Sequence, residues 1–324
     1  MKKLPFRIDG FLLSMLCAVA LALLWPAIGT SDGPLHLGLV TNLGVSLVFF
    51  LHGAALSRQS LKAGVSNWRL HAFVQSTTYL VFPLIGIVLV LAIRGALPPD
   101  LVLGVFYLCA LPSTISSSVA MTSLGKGNVP GAIFNASLSN IVGMAATPLL
   151  IGIMVSTGGA HLPLGKAVLD IALQLLLPFV LGQLLRPWLA DWLARNKPVI
   201  SKLDRGVVVL IVYSSFCDST AAGLWHNYAW WMLAVVFVLV GILLAVVLLG
   251  TTWISRSLGF SLPDEVAAVF CGSKKSLATG IPMAKLLFAG HPGLGLIVLP
   301  VMFYHQLQLL VCSVLARRYA ERAA

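Results

Sequence analysis

Phe270-Cys271-Gly272-Ser273-Lys274-Lys275-Ser276-Leu277-Ala278-Thr279-Gly280-Ile281-Pro282 sets two adjacent lysines inside an apolar run of membrane-spanning length. A charge at bilayer depth costs roughly 2.5 to 3.5 kcal/mol on insertion scales, so such residues face a protein interior or a watery cavity. Gly272, Gly280 and Pro282 also weaken the helix at this place. A spanning helix that is interrupted where charged side chains gather is the pattern of a transporter binding site. The plainer alternative is a loop between two shorter spans that carries both lysines.

The surrounding chain is 59% hydrophobic and 10% charged, whereas charged residues alone make up about a quarter of a soluble domain. This is the composition of an integral membrane protein. Its 324 residues have room for about ten helices of about 20 residues with short loops, and for no separate soluble domain. Apolar stretches fall at about 11–29, 37–57, 70–93, 101–124, 129–155, 166–188, 206–225, 230–254, 264–288 and 293–316. The first, behind Lys2, Lys3 and Arg7, reads as a retained span in preference to a cleaved signal peptide. Cys17, Cys109, Cys217, Cys271 and Cys312 sit singly in apolar stretches and read as small buried hydrophobes, not as a disulfide frame or a metal site.

The net charge of +11 belongs to topology. Between the predicted spans and at their ends, lysines and arginines from Lys2 through Arg58, Lys62, Arg69, Lys126, Arg186, Lys197, Arg205 and Arg256 to Arg322 fall on one side, with only Arg94 and Lys166 on the other. This asymmetry predicts both termini in the cytoplasm of a bacterial inner membrane. It also points to the lipid bilayer, not nucleic acid, as the partner of the basic residues. Ten spans divide into two halves of five, and an odd number per half turns the second half over, which predicts an inverted repeat. An echo supports it. Pro112-Ser113-Thr114-Ile115-Ser116-Ser117-Ser118 interrupts the fourth span with Pro130-Gly131 about 16 residues after Thr114; Ser273-Lys274-Lys275-Ser276 interrupts the ninth, with Pro292-Gly293 about 16 residues after Ser276.

Isolated membrane hydroxyls such as Ser46 and Ser76 bond back to their own helix and carry no information. The crowding of Thr114, Ser116, Ser117 and Ser118 behind Pro112 differs, because proline leaves a carbonyl one turn earlier without its donor. Freed carbonyls and hydroxyls together suit a hard cation or an oxygen-rich solute; a simple proline kink is the alternative. Asn135, Ser137, Ser139 and Asn140 in the fifth span are candidates to face the same place, and Asn135 and Ser139 share a helical face by their spacing of four. Lys274 and Lys275 point about 100° apart on a regular helix, so one is expected to face the cavity while the other caps a half-helix. Ser273 and Ser276 flank them. Lys285, toward the outer end of the ninth span, is expected to snorkel to the interface. Asp170 reads as an interfacial residue. Asp218 lies deeper, and it and the histidines His52 and His305 are proton-coupling candidates.

Phe270 through Met283, continuing to Phe288-Ala289-Gly290-His291 and Tyr304-His305, closely resembles the sodium/bile acid cotransporter 7-like branch of the bile acid:sodium symporter family. Ala110-Leu111-Pro112, Ser116-Ser117-Ser118 and Ala132-Ile133-Phe134-Asn135 resemble it too, and the likeness covers nearly the whole chain. The resemblance implies an all-α protein of ten transmembrane helices in two inverted five-helix repeats. A panel is implied at about 11–57 and 166–225 and a core at about 70–155 and 230–316, with the fourth and ninth helices broken and crossing. Its sodium-site positions fall here on Ser117 and Ser118, on Ala132 and Ala136, and on Phe270 and Lys274, with Gln75 the nearest counterpart of a third-helix glutamine. An anionic ligand is thus replaced by Phe270 and an ammonium is gained.

These readings converge on a secondary transporter that moves a small organic solute, anionic or amphipathic, by alternating access. No cofactor is expected, and sodium or a proton is the coupling ion to be weighed. The lysine ammonium is expected either to stand in for a sodium ion or to pair with an anionic substrate. A non-transporting regulator of ion homeostasis is the alternative. An intramembrane enzyme is disfavoured, since no Gly-x-Ser-x-Gly, His-Glu-x-x-His or paired aspartate motif occurs.

Overall fold

The computed structural model describes residues 10–55, 67–157, 172–223 and 229–322. Lys2, Lys3, Arg7, Arg58, Lys62, Lys166 and Asp170 lie outside the described residues. Among those described, the chain is helical and forms no strand. Six helical stretches among the described residues are long and apolar enough to cross a membrane: Leu37–Ala55, Trp68–Ile93, Val129–Val155, Leu173–Arg195, Trp230–Ser257 and Leu294–Arg322. This is a multi-pass membrane architecture.

In chain order the helices are α1 (Gly10–Leu24), α2 (Pro26–Gly29), α3 (Leu37–Ala55) and α4 (Trp68–Ser76), the last running through a π-helical turn, Thr77–Val81, into α5 (Phe82–Ile93). Then come α6 (Pro99–Ala110), α7 (Ser116–Leu124), α8 (Val129–Thr157), a second π-helical turn at Ala172–Leu176, α9 (Leu177–Arg195) and α10 (Lys197–Ala221). The chain closes with α11 (Trp230–Ser257), α12 (Leu262–Ser273), α13 (Leu277–Leu287) and α14 (Leu294–Arg322). The first predicted span breaks at Trp25, ahead of Pro26. The seventh begins earlier than its hydrophobicity indicates, because helix α10 already runs through the charged stretch from Lys197 to Arg205.

The fourth and ninth predicted spans are each two half-helices separated by an extended break. Both first halves are 12 residues long and open on proline and acid, Pro99-Asp100 in α6 and Pro263-Asp264-Glu265 in α12. Proline fits the first turn of a helix, where its missing N–H would have no partner, and the acids favour the positive end of the helix dipole. Pro112 ends the first half: the residue before a proline is pushed out of the α region, and Leu111 is extended at φ −70°, ψ 152°.

The helices pack in two groups. One contains α1, α2, α3, α9 and α10; the other contains α4 to α8 with α11 to α14. They meet chiefly where α10 lies against α13 and α14, and also where the Ala172–Leu176 turn touches α8. Within the first group α3 and α9 touch backbone to backbone. A methyl group at Gly53 would stand 2.0 Å from the carbonyl oxygen of Phe179, and one at Gly182 would stand 2.0 Å from that of Phe50. Apolar side chains gain little by leaving lipid, so close backbone approach through small residues is how membrane helices bind each other.

Candidate functional site

Breaking a helix inside a membrane leaves carbonyls that must find donors within the protein. At the end of α6 every one of them from Leu108 to Ser113 does. The Leu108 oxygen accepts from the Leu111 N–H, the Ala110 oxygen from Thr147 at 2.7 Å, and the Pro112 oxygen from the Ser276 N–H at 2.9 Å. The Ser113 oxygen accepts from Asn140 at 2.8 Å. Cys109 and Leu111 remain, and both accept from the ammonium of Lys275, at 2.9 and 2.6 Å.

The third acceptor of that ammonium is the Thr78 carbonyl, 3.1 Å away, and the chain frees it deliberately. In the π-helical turn the Phe82 N–H donates five residues back, to Thr77. By the same pattern Thr78 should receive the N–H of residue 83, which is Pro83 and has none. Lys275 supplies the missing donor. Three carbonyls take three N–H bonds, a set that only the protonated amine can fill. The face of the Phe82 ring closes the fourth side with its centroid 4.0 Å away. Among the described residues no carboxylate touches Lys274 or Lys275; carbonyl dipoles and aromatic faces hold both charges.

Lys274 turns the other way. Its Nζ donates to the carbonyl of Ser117 at 2.8 Å and lies 5.4 Å from the Phe270 ring centroid. The second break is likewise held from across the fold. Ser118 Oγ donates to Phe270 O at 3.1 Å, Ser113 Oγ to Cys271 O at 2.7 Å, and Tyr304 to Ser273 O at 2.6 Å. Gln308 bonds the Lys275 peptide on both sides, accepting from its N–H and donating to its carbonyl, each at 2.9 Å. His305 Nδ1 lies 3.0 Å from the Gln308 amide nitrogen and so joins the site through it.

Beside the two breaks is a cavity of about 290 Å3. Thr114, Ser116, Ser276 and Thr279 line one wall; His52 of α3 and Asp204 of α10 line the other. The cavity thus lies between the two packing groups. Half-helices α7 and α13 both start at this wall, so two positive dipole ends face it. His52 Nε2 is 3.7 Å from Asp204 Oδ1.

Of the residues singled out in the sequence, His52, Thr114, Ser116, Ser137 and Ser276 reach the cavity, whereas Lys274, Lys275, Ser117 and Ser118 bind the breaks to each other and do not line it. Ser273 returns its hydroxyl to Val269 O, 2.6 Å away within its own helix. Asn135 bonds Gly131 O and receives the Gln75 amide on its carbonyl oxygen at 3.1 Å. Asp218 accepts from both the N–H and the hydroxyl of Ser31, at 2.8 and 2.6 Å. Lys285 departs from expectation: it donates to Thr41 Oγ1 of α3, with α13 packed along α10. Ser117 and Ser118, where the resemblance puts sodium ligands, make a poor cation cage. The Ser117 carbonyl already holds an ammonium, the Ser118 hydroxyl donates away, and Ala132 and Ala136 offer no side-chain oxygen.

Sequence reasoning missed Gln308, Thr78 and Asp204. Asp204 read as part of a basic loop because the predicted span began at 206. For Thr78 a signal existed in Pro83, but only a π-helical register makes it matter.

The model of the SBF-like CPA transporter family matches residues 9–321. An uncharacterized protein of Pseudomonas aeruginosa is 47% identical over 99% of this chain and 96% of its own length. The putative symporter YfeH of Escherichia coli is 44% identical, covering 98% and 95%. The sodium/bile acid cotransporter 7 of Rattus norvegicus is 32% identical, covering 95% and 92%.

Proposed function

Because the chain belongs to the SBF-like CPA transporter family, we propose that it is a secondary transporter carrying a small organic anion or amphipathic anion through the cavity between the helix breaks and α3/α10. The observation that carries this reading is the pair of half-helix starts at Ser116 and Ser276 on one cavity wall. Positive dipole ends of broken helices are how membrane transporters hold anionic groups without a full countercharge. A cavity of about 290 Å3 is of a size to take a small solute.

Transport proceeds by one packing group rocking against the other, as panel against core. The matched lengths and openings of α6 and α12 support an inverted ten-helix repeat. Taking the basic side as cytoplasmic, both termini lie on the cytoplasmic side of a bacterial inner membrane, and the cavity, near Ala55 and Asp204, lies toward the cytoplasm. On this reading the cycle runs without sodium: the ammonium of Lys275 supplies a tethered positive charge to carbonyls that would otherwise require a bound cation.

The experiment is a thermal-shift screen of organic anions on purified protein, followed by uptake of the stabilising compound into proteoliposomes at sodium concentrations from zero upward. The expected result is saturable uptake that is flat across the sodium series. Stabilisation without flux would replace the proposal with a binding regulator of ion homeostasis. A steep sodium requirement would remove the role given to Lys275.

A further inference from the structure

Between α11 and α14, away from the breaks, runs a groove of about 730 Å3. Its walls are apolar and open outward: Leu249 is 72% exposed, Trp253 71% and Val314 55%. At one end stand Arg256, Arg318 and Arg322. They are not equivalent. Arg256 is neutralised by Glu265, with Nη2 2.8 Å from its Oε1, and Tyr319 donates to that same oxygen at 2.8 Å.

Arg318 and Arg322 share a helical face by their spacing of four. Neither has a carboxylate partner among the described residues, and Arg322 lies over the Tyr319 ring at 5.7 Å. We propose that this groove is a binding site for one anionic phospholipid, its phosphate held by Arg318 and Arg322 and an acyl chain laid along Leu249, Trp253 and Val314. The charge pattern selects the occupant. Two guanidinium forks match a phosphate, and basic pockets between membrane helices are where anionic head groups dock. A free phosphate would leave the apolar wall exposed; a zwitterionic lipid would leave the arginine charge in excess. Tyr319, one residue beyond Arg318, donates to Glu265 in the first turn of α12, so the lipid would brace the half-helix that ends at Ser273, beside Lys274.

The test is native mass spectrometry of the full-length protein with added phosphatidylglycerol, phosphatidylcholine or inorganic phosphate. The expected result is one retained phosphatidylglycerol under activation that strips phosphatidylcholine. Retention should fall at least fivefold in the double variant Arg318→Gln, Arg322→Gln. It should fall likewise in Val314→Trp, which fills the groove with both arginines intact, and stay unchanged in the control Lys197→Gln, Lys202→Gln at other exposed basic positions. Equal retention in the arginine variant and the wild type would overturn the proposal. So would equal retention of phosphatidylcholine, displacement of the lipid by inorganic phosphate, or a lipid-free dimer lost on the tryptophan substitution.

Discussion

Gln308 is bonded to both polar groups of the Lys275 peptide, accepting from the N–H and donating to the carbonyl at 2.9 Å each. It does for the broken ninth span what a neighbouring strand does in a sheet. Replacement by leucine keeps the volume and strands two buried backbone groups. An unsatisfied buried group costs about 1 to 3 kcal/mol, so Gln308→Leu should lose about 2 to 6 kcal/mol. Chemical denaturation in detergent checks this, and the neighbouring Gln306→Leu serves as a comparison for composition alone.

Lys275 is the more demanding test. Lys275→Met leaves the carbonyls of Thr78, Cys109 and Leu111 without a donor in the protein interior. Breaking such a buried charged set costs about 3 to 5 kcal/mol, against about 1 to 2 kcal/mol for Lys274→Met, which frees one carbonyl. Lys275→Ala should in addition open room for a diffusible cation. Methylammonium or sodium should then raise its melting temperature and leave the wild type unaffected. Loss of stability without cation rescue would mean that the lysine packs but does not replace a cation.

What was legible in the sequence was whatever violates bilayer physics. Lysines at depth and Pro112 inside an apolar run are expensive unless the fold compensates, so the breaks were visible. Of their partners Asn140 stood among the fifth-span candidates, but Gln308 and Thr147 look like ordinary polar residues until the chain is folded. The cavity was legible in part from both walls. Thr114, Ser116 and Ser276 stood out by crowding beside breaks and His52 by its titratable ring in an apolar run, whereas Asp204 was concealed by its charged neighbours. Lys285 was misplaced by a rule that assumes lipid around a helix end, where the structure provides Thr41.

The contact of α3 with α9 predicts sharp steric limits. Gly53→Ala and Gly182→Ala each put a methyl group 2.0 Å from a backbone oxygen that no rotamer change can move. The helices must separate, and overpacking of this kind costs about 1 to 3 kcal/mol or more. Gly250→Ala in α11 meets nothing within 4 Å and should be neutral or gain up to about 1 kcal/mol through helix propensity. Melting temperatures of the three variants should separate in that order, with both α3/α9 variants below the wild type.

On the side of the molecule away from the cavity, Lys285 of α13 bonds Thr41 of α3, and Ser219 of α10 donates to Pro292 O at 2.8 Å. These bonds join the two packing groups where a solute would have to pass if they rocked apart. Removing one charge-assisted bond should shift the balance toward the separated state by about 1 to 1.5 kcal/mol, or roughly tenfold in population. Thr41 is fully buried, so Thr41→Cys should react slowly with a membrane-impermeant maleimide. Adding Lys285→Met should speed that reaction about tenfold, as should a transported solute added to the single variant. Labelling unchanged by Lys285→Met would mean that this bond is ordinary packing and that the groups are held together elsewhere.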